Sequence, residues 1–309
     1  MSPRQPEAFA PGSLAGAVAA ATARALASGA LQPIPTGSAF LDDGGVRFAV
    51  RVLAHLARKD EERWRREREA AAGKPANPFL PPERDLLVAD VSATHVALLN
   101  KYNVVDRHLL VVTRHFADQR SLLTPRDIEA LWRCLAEYPG LGFYNGGEEA
   151  GASQPHKHLQ LVPLPLAPAG PPVPIEPLIA RARRAADGTG TLPGFDFLHA
   201  FARLDGGGGG AGNEARAAWE TYCTLLRGVG LRAPAGGENA EPQSGPYCLL
   251  ATRDWMLLVP RSRERFGTVS INALGYAGSL FVRDEAELRA LSEAGPLAAL
   301  RETAVPRVP

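Results

Sequence analysis

The sequence predicts an α+β fold, in which an antiparallel sheet is flanked by helices. Short runs rich in Val and Leu predict strands, and amphipathic helices lie between them without the regular alternation of a parallel sheet. The chain has 309 residues, of which 45% are hydrophobic and 22% are charged. It is therefore long enough to bury a sizeable core.

The N-terminal third predicts two helices. SLAGAVAAATARALASGAL, residues 13–31, begins with Ser13 as N-cap and has Gly29 as a stop. Its Ala-rich start resembles a targeting segment, but Arg24 interrupts it, which favours a helix that stays in the protein. RFAVRVLAHLARKDEERWRRERE, residues 47–69, has helical periodicity in its first half and then a charge run, which predicts a solvated helix face.

The middle of the chain predicts a meander of strands followed by a capped helix. DLLVADV, HVALLNKY and RHLLVVT read as neighbouring antiparallel strands because turn-like breaks separate them. In LTPRDIEALWRCLAEYPG, Thr124 can cap, Pro125 suits the first helical position and Gly140 follows the last turn. LGFYN and HKHLQLVPLPL then predict two more strands.

The second half contains two insertions and the remaining elements. Residues 163–177 are rich in proline, and the glycine run within 205–212 predicts a flexible connector. EARAAWETYCTLLRGVG predicts a helix, and DEAELRALSEAG predicts a closing helix. PYCLLAT, WMLLVPRS and SLFVR predict strands.

Composition excludes several classes of function. The formal net charge of +1 provides no global field for nucleic acid or an anionic membrane. No run approaches the roughly 20 apolar residues that span a bilayer. Cys134, Cys223 and Cys248 are too far apart to form a redox motif or a metal-binding pair, which favours a reducing, cytoplasmic compartment.

The stretch GASQPHKHLQLVP, residues 151–163, carries the candidate chemistry. On a strand, alternate side chains point to the same face, so His156, His158 and Gln160 share one surface. Lys157 and Leu159 face the other way, and we therefore expect no catalytic role for Lys157. The two imidazoles and the amide form one polar group.

Three interpretations of the two histidines are open. They can be structural, bonded to backbone groups at a strand edge. They can bind a metal, but no acidic residue follows His158 before Glu176, which disfavours this and predicts no metal site. They can also act on phosphorus, where an imidazole nitrogen forms a phosphoramidate and nearby donors neutralise the phosphate oxygens. Donors are at hand in the backbone N–H groups of the small residues Gly151, Ala152 and Ser153, and in the side chains of Ser153, Gln154 and Gln160.

The same residues carry a resemblance to a known family. FYNGGEEAGASQPHKHLQ, LLNKYNVVDRHLLVVT and YCLLATRDWMLLVPRSRERFGTVSINALGYAGSLFVR resemble the diadenosine tetraphosphate (Ap4A) phosphorylases, or ATP adenylyltransferases, of the histidine triad superfamily. The resemblance covers most of the chain outside the two insertions. It implies one HIT-like domain over 1–309, with a core at about 85–165 and a completing C-terminal segment at about 195–295.

The resemblance implies a reaction in two halves. His158 attacks the α-phosphorus of the dinucleotide, which releases ATP and leaves a histidine–AMP intermediate; inorganic phosphate then converts this to ADP. His156 would orient or hydrogen-bond the phosphate. Gln160 stands where hydrolytic relatives carry a third histidine, and a neutral amide cannot activate water, which favours phosphorolysis.

Further contacts are implied at matching positions. Asn145 would meet the ribose or the α-phosphate, Asn100 and Lys101 would line the nucleotide pocket, and Lys59 would reach the distal phosphates. In the C-terminal segment the matching positions are Asn272, Gly275 and Arg283. Asn145 also fits a turn residue, and the two lysines also fit surface charge. His95, His108, His115 and His199 are expected to be surface or structural residues.

The expected partners are diadenosine polyphosphates, ATP, ADP, AMP and inorganic phosphate. No cofactor is expected to be obligatory, although Mg²⁺ can accompany the polyphosphate. We expect a monomer that binds neither nucleic acid nor membranes. Two alternatives stay open: a sugar-1-phosphate nucleotidylyltransferase of the same superfamily, and a non-catalytic nucleotide sensor.

Overall fold

Strands from both halves of the chain join one ten-stranded sheet in the computed structural model. The structure describes residues 8–53, 77–185, 188–204, 211–236 and 240–307. Lys59, the whole charge run at residues 58–69 and residues 205–210 of the glycine run lie outside the described residues. Within the described part, no helix is both long enough and apolar enough to cross a membrane.

The described helices, apart from short 3-10 turns, are α1 Leu14–Ser28, α2 Pro125–Glu137, α3 Glu176–Ile179, α4 Ala211–Gly228, α5 Ala273–Tyr276, α6 Glu285–Ala294 and α7 Pro296–Thr303. The described strands are β1 Thr36–Asp43, β2 Val46–Leu53, β3 Leu87–Asp90, β4 His95–Leu99, β5 Leu109–Thr113, β6 Gly140–Gly146, β7 His158–Pro163, β8 Arg183–Arg184, β9 Thr189–Thr191, β10 Ala200–Arg203, β11 Tyr247–Ala251, β12 Trp255–Pro260, β13 Arg265–Phe266, β14 Val269–Ser270 and β15 Ser279–Val282.

The large sheet has the strand order β3-β4-β5-β7-β6-β11-β12-β10-β9-β8, and its strand pairs are antiparallel. The predicted meander is confirmed by β3, β4 and β5. The strand expected from HKHLQLVPLPL is confirmed by β7, which begins at His158, so His156 lies just before it. The strands predicted in the second half are confirmed by β11, β12 and β15. The large sheet therefore contains strands of both the predicted core and the C-terminal segment.

The helical prediction for residues 47–53 is wrong, because these residues form β2. Val46, Phe48 and Val50 are buried, which is the alternation of a strand. β2 pairs with β1 in antiparallel and with β15 in parallel. The hairpin turn at Gly44 and Gly45 has φ values of 58° and 83°, a left-handed geometry that suits glycine.

The helix predicted from the cap at Thr124 is confirmed by α2. The Thr124 hydroxyl accepts from the Asp127 N–H, Asp127 accepts in return from the Thr124 N–H, and Pro125 occupies the first turn of α2. The predicted closing helix is α6, but it is not the last, because α7 follows it directly after Gly295.

The two faces of the large sheet are covered by different elements. The first face packs against α1, α2 and α4, with Leu159 and Leu161 of β7 in that core. The second face packs in its centre against β2, β15 and α5 to α7, with Phe143 and Val162 in that core. Over β4 and β5 the second face instead carries a small separate cluster around Phe79. A gap is left on the second face between these two apolar clusters.

A buried charged network anchors the start of β7 on the first face. The Lys157 ammonium lies 3.2 Å from Asp127 Oδ2 and donates to the Leu122 carbonyl. His95 Nε2 donates to Asp127 Oδ1 at 2.9 Å. Burial alone would raise the pKa of Asp127, but the His95 hydrogen bond and the Lys157 charge lower it to about 2. This confirms that Lys157 points away from the face of His158.

We expect replacement of Lys157 by Met to lower the free energy of unfolding by about 3 kcal/mol, because it leaves the buried Asp127 carboxylate without its cation. The depressed pKa of Asp127 stabilises the fold above its ordinary value of 3.8, and this contribution is lost as pH falls toward about 2. In the variant that pKa rises toward its ordinary value, so the stability depends less on pH between about 4 and 2, and the native protein has the steeper acid transition.

Denaturant titration and acid titration by circular dichroism measure both effects. The matched control is Arg216→Ala, which removes an exposed ion pair with Glu220 and should change stability by less than about 0.5 kcal/mol. An unchanged acid transition in the Lys157 variant would contradict the role of the network.

Candidate active site

The gap on the second face of the sheet is filled by polar side chains from four neighbouring segments. Asn100 follows β4, His108 precedes β5, Asn145 lies in β6, and His158 and Gln160 lie in β7. Each has the strand parity of residues that pack into the second-face clusters, such as Leu98, Leu110 and Phe143. The period of two therefore places these five side chains on one surface.

His158 is held with a single ring nitrogen available. Its Nδ1 lies 2.8 Å from the His156 carbonyl oxygen, which can only accept, so Nδ1 carries the proton and donates. Nε2 is then the unprotonated nitrogen. Burial lowers the pKa of His158 to about 4, so the ring is neutral at physiological pH. A neutral imidazole with a lone pair on Nε2 is the nucleophilic form.

His156 is held in the opposite tautomer. Its Nε2 donates to the Thr113 carbonyl at 2.9 Å, and its Nδ1 accepts from the Asn77 amide nitrogen at 2.8 Å. Both ring nitrogens are therefore occupied by protein groups, and the ring is 1% exposed. In this structure the His156 carbonyl orients His158, and the bonds of its ring hold that carbonyl in place. The expectation that His156 orients or hydrogen-bonds the phosphate stays a prediction.

Two phenylalanines border the histidines. The Phe79 ring centroid lies 5.5 Å from that of His156 and 5.4 Å from that of His158. Phe116 lies 5.6 Å from His156 and is 59% exposed. The Phe79 ring thus covers one side of the His158 ring and lowers the local polarity, which favours the neutral form of the imidazole.

His108 is closer to the chemistry than expected. It is buried beside Gln160 and His158, and its Nδ1 accepts from the Asn100 amide at 3.1 Å. Burial lowers the pKa of His108 to about 4, and the neighbouring Gln160 side chain, whose oxygen favours the protonated ring, offsets part of this. Asn100 therefore reaches the site through His108, which belongs to the polar surface around His158.

Gln119 lies between the ends of β6 and β7. Its side-chain Oε1 accepts from the His158 N–H at 2.8 Å, and its Nε2 donates to the Asn145 carbonyl at 2.8 Å. The residue is 1% exposed. The Gln119 amide thus connects the backbone of His158 to the neighbouring strand.

The loop before the histidines lines a cavity of about 300 Å³, together with residues 118–120. Ala152, Ser153 and Gln154 lie on its wall. The N–H groups of Gly151 and Ala152 donate to the carbonyls of Glu148 and Gly147, at 2.8 and 3.1 Å. Both N–H groups thus have partners within the loop, and their contact with an anion stays a prediction.

Gly151 has a packing role that explains its identity. Its φ is 90°, and a Cβ there would lie 2.8 Å from the Asn272 Cβ. Asn272 caps α5 by accepting from the Leu274 N–H at 3.0 Å. Asn145 Oδ1 accepts from the Ala273 N–H at 3.0 Å. These contacts bring the start of α5 against the loop and β6, so Asn145 and Asn272 lie together at the site.

Arg261 binds both the loop before the histidines and the segment that leads into α5. It is 2% exposed and donates to the carbonyls of Ala150, Ile271 and Thr303 at 3.3, 2.8 and 3.0 Å. Among the residues that the structure describes, no carboxylate forms an ion pair with it. Its guanidinium is a positively charged clamp between the loop and the segment that leads into α5.

The remaining predicted contacts have other partners in this structure. Lys101 Nζ donates to Glu83 at 2.8 Å, and Arg283 Nε donates to Glu287 at 2.8 Å. Gly275 is buried, and a Cβ there would lie 3.0 Å from Ile271 Cγ2. Packing explains Gly275 and ion pairing explains the two cations, so their nucleotide contacts stay predictions. Within the described ranges, no group of three His, Cys, Asp or Glu side chains is arranged to hold a metal ion.

Comparison with known proteins decides the family. Residues 4–181 match the Ap4A phosphorylase N-terminal domain, and residues 193–306 match the ATP adenylyltransferase C-terminal domain. The chain belongs to the Ap4A phosphorylase family. The resemblance seen in the sequence is thereby confirmed.

Relatives from Saccharomyces cerevisiae support the assignment. Diadenosine 5',5'''-P1,P4-tetraphosphate phosphorylase 2 is 29% identical over 248 residues, which are 71% of this chain and 73% of that protein. Protein APA1 is 26% identical over 273 residues, which are 80% and 78% of the two chains. This member of the Ap4A phosphorylase family is thus similar to both relatives over most of their length.

Solved structures confirm the predicted fold class. The crystal structure of yeast Ap4A phosphorylase Apa2 matches with a TM-score of 0.74 at 23% identity, over 98% of this chain and 96% of that chain. Its complex with Ap4A matches with a TM-score of 0.72 at 22% identity, over 98% and 100% of the two chains. The family fold is therefore shared despite low identity.

Sequence reasoning missed Asn77, Phe79, His108 and Gln119. The face of His108 could have been predicted from the sequence, because His108 shares the strand parity of Leu110 and Val112. Gln119 lies in an irregular segment where no periodicity assigns a face. Asn77 and Phe79 come from a Pro-containing loop that reaches the histidines only through the fold.

We expect histidine ¹⁵N spectra to show opposite neutral tautomers for the two histidines, Nδ1–H for His158 and Nε2–H for His156. His158 should protonate only near pH 4, because burial disfavours its charged form. Loss of each signal in the corresponding Ala variant assigns it. An Nε2–H tautomer for His158 would contradict the proposed availability of its Nε2.

Proposed function

We propose that this chain catalyses phosphorolysis of Ap4A to ATP and ADP through a covalent His158–AMP intermediate. The observation that carries the proposal is the His158 ring, which is neutral, buried and fixed by the His156 carbonyl with its Nε2 lone pair available. Family membership supports the substrate, since the matching domains and the relatives are those of Ap4A phosphorylases.

In the first half-reaction, His158 Nε2 attacks the α-phosphorus of Ap4A. An Nε2–P bond forms, the bond from phosphorus to the bridging oxygen breaks, and ATP leaves with that oxygen. The ring becomes positively charged, and the His156 carbonyl, which accepts from Nδ1–H, stabilises this charge. The hydrogen bond from His158 Nδ1 to the His156 carbonyl, which sets the tautomer, therefore also lowers the activation barrier of the attack.

In the second half-reaction, an oxygen of inorganic phosphate attacks the same phosphorus. The Nε2–P bond breaks, ADP is released, and His158 returns to its neutral form with Nδ1–H retained. The positions of Asn145 and Asn272 beside the loop suit contacts to the ribose or α-phosphate, and the cavity beside 152–155 suits the polyphosphate.

We extend the proposal to the conditions of the reaction. The enzyme works as a cytoplasmic monomer on diadenosine polyphosphates and binds AMP, ADP, ATP and phosphate as reaction species. Divalent metal enters with the polyphosphate as its counterion, and no cofactor resides in the protein.

Replacing His158 by Ala should abolish the adenylyl adduct, because the site has no second nucleophile in place. Intact mass after brief incubation with Ap4A, with and without phosphate, measures the acid-labile adduct and its discharge to ADP. His115→Ala, at an exposed histidine, is the matched control and should behave as the native protein. Phosphorolysis by a clean His158→Ala preparation would overturn the assignment.

The same assay separates the alternatives. Ap4A binding without an adduct in the native protein would indicate a nucleotide sensor. An adduct formed from a UDP-sugar instead of Ap4A would indicate a sugar nucleotidylyltransferase.

Gln160→His should slow phosphorolysis and raise hydrolysis of the adenylyl-enzyme. The new imidazole would lie on the face of His158, where it can accept a proton from water, whereas the native amide cannot. Product analysis by chromatography separates AMP, formed by hydrolysis, from ADP, formed by phosphorolysis. Unchanged rates of both products would show that residue 160 does not contact the reacting phosphorus.

A further inference from the structure

The ladder between β6 and β7 is interrupted at the nucleophile. Direct pairing ends with Phe143 opposite Gln160, and the same register would bring Asn145 opposite His158 two residues further on. At that position the two backbones do not bond to each other. Both bond to the side-chain amide of Gln119 instead.

The Gln119 carboxamide takes the place of a peptide group in the sheet. Its Oε1 accepts from the His158 N–H at 2.8 Å, while its Nε2 donates to the Asn145 carbonyl at 2.8 Å and to the His158 carbonyl at 3.3 Å. Two hydrogen bonds in series replace one direct bond, so the strands separate here. The other side of β7 stays paired, with Val112 opposite His158.

The Gln119 backbone is itself fixed. Its N–H donates to the Pro155 carbonyl at 2.8 Å, and its carbonyl accepts from the buried Tyr144 hydroxyl. The side chain is therefore attached to a rigid segment and is 1% exposed. A neutral amide with both a donor and an acceptor used is an uncommon choice for a core position unless both bonds matter.

The bridge also connects the nucleophile to the C-terminal segment. Asn145, held by Gln119 through its carbonyl, binds the Ala273 N–H through its side chain. A displacement of Gln119 would thus change the distance between His158 and the site residues carried by β6 and α5.

We propose that Gln119 is a positioning residue that sets the separation of His158 and Asn145 and thereby aligns His158 Nε2 with the α-phosphorus. This inference rests on the proposed function for its kinetic consequence. The bridge requires a side chain at position 119 that donates one hydrogen bond and accepts another. Among side chains of this length, a carboxamide or a protonated carboxyl group can do both.

The test uses Gln119→Glu and Gln119→Leu. A protonated Glu can accept from the His158 N–H and donate to the Asn145 carbonyl, whereas its carboxylate cannot donate, and burial beside two carbonyl groups raises its pKa. Gln119→Glu should therefore form the adenylyl-enzyme at a near-native rate at low pH and slow by about 100-fold as pH rises, in line with the cost of misplacing a reacting group.

Rapid quench and intact mass follow the adduct, and AMP binding is measured at each pH. Gln119→Leu should be slow at every pH with AMP affinity little changed. Gln32→Glu, at a residue whose side chain donates only to Gly29 near the end of α1, is the matched control and should keep the native pH profile. Because Gln119→Glu is compared with itself at two pH values, the test does not depend on folding of the Leu variant.

A native pH profile in Gln119→Glu or a native rate in Gln119→Leu would overturn the inference. A rate loss in either variant that is matched by an equal loss of AMP binding and of thermal stability would also overturn it, because it would show a merely structural role. Histidine ¹⁵N spectra distinguish this from failure of the proposed function. If the native protein forms no adduct but Gln119→Leu shifts the His158 signal, Gln119 does position His158 and the proposed reaction is wrong. If the signal is also unshifted, the positioning role of Gln119 is wrong as well.

Discussion

The hydrogen bond from His158 Nδ1 to the His156 carbonyl is the interaction on which the site depends. It selects one tautomer, leaves the Nε2 lone pair available and, in the proposed reaction, places an acceptor where positive charge develops during attack. It also explains why the two histidines differ in environment although they are two residues apart. His156 must keep its carbonyl in place, so both of its ring nitrogens are bonded to Thr113 and Asn77.

The period of two along a strand separates stability from chemistry at this point. Lys157 points into the first-face core, where Asp127 and His95 hold it, while His158 points to the second face. The charged network therefore anchors the nucleophile strand without contributing charge to the reacting face. On that face, burial keeps His108 and His158 neutral, and Arg261 holds the loop and α5 together from below.

The features that sequence could predict are those with local causes. The α2 capping box and the alternation in β7 each follow from a short stretch of consecutive residues. The shared face of His158 and Gln160 follows from the same alternation. In RFAVRVL the apolar residues suit either period, and pairing with β15 decides between them; Arg51 contacts Ser279, 228 residues away. Gln119 binds groups 26 and 39 residues distant at a place where two strands separate, which no pattern in its own segment encodes.

The same arrangement gives a physical reason for phosphate over water as the second nucleophile. Water needs a base to remove its proton as it attacks, and the imidazole of His108, with its pKa lowered to about 4, is a weak base, while Gln160 is neutral. Inorganic phosphate is already an anion at neutral pH and needs no base. Burial depresses the basicity of His108, while the carbonyl of His156 supports positive charge on the His158 ring. In the proposed reaction the same features therefore favour formation of the intermediate and protect it from hydrolysis.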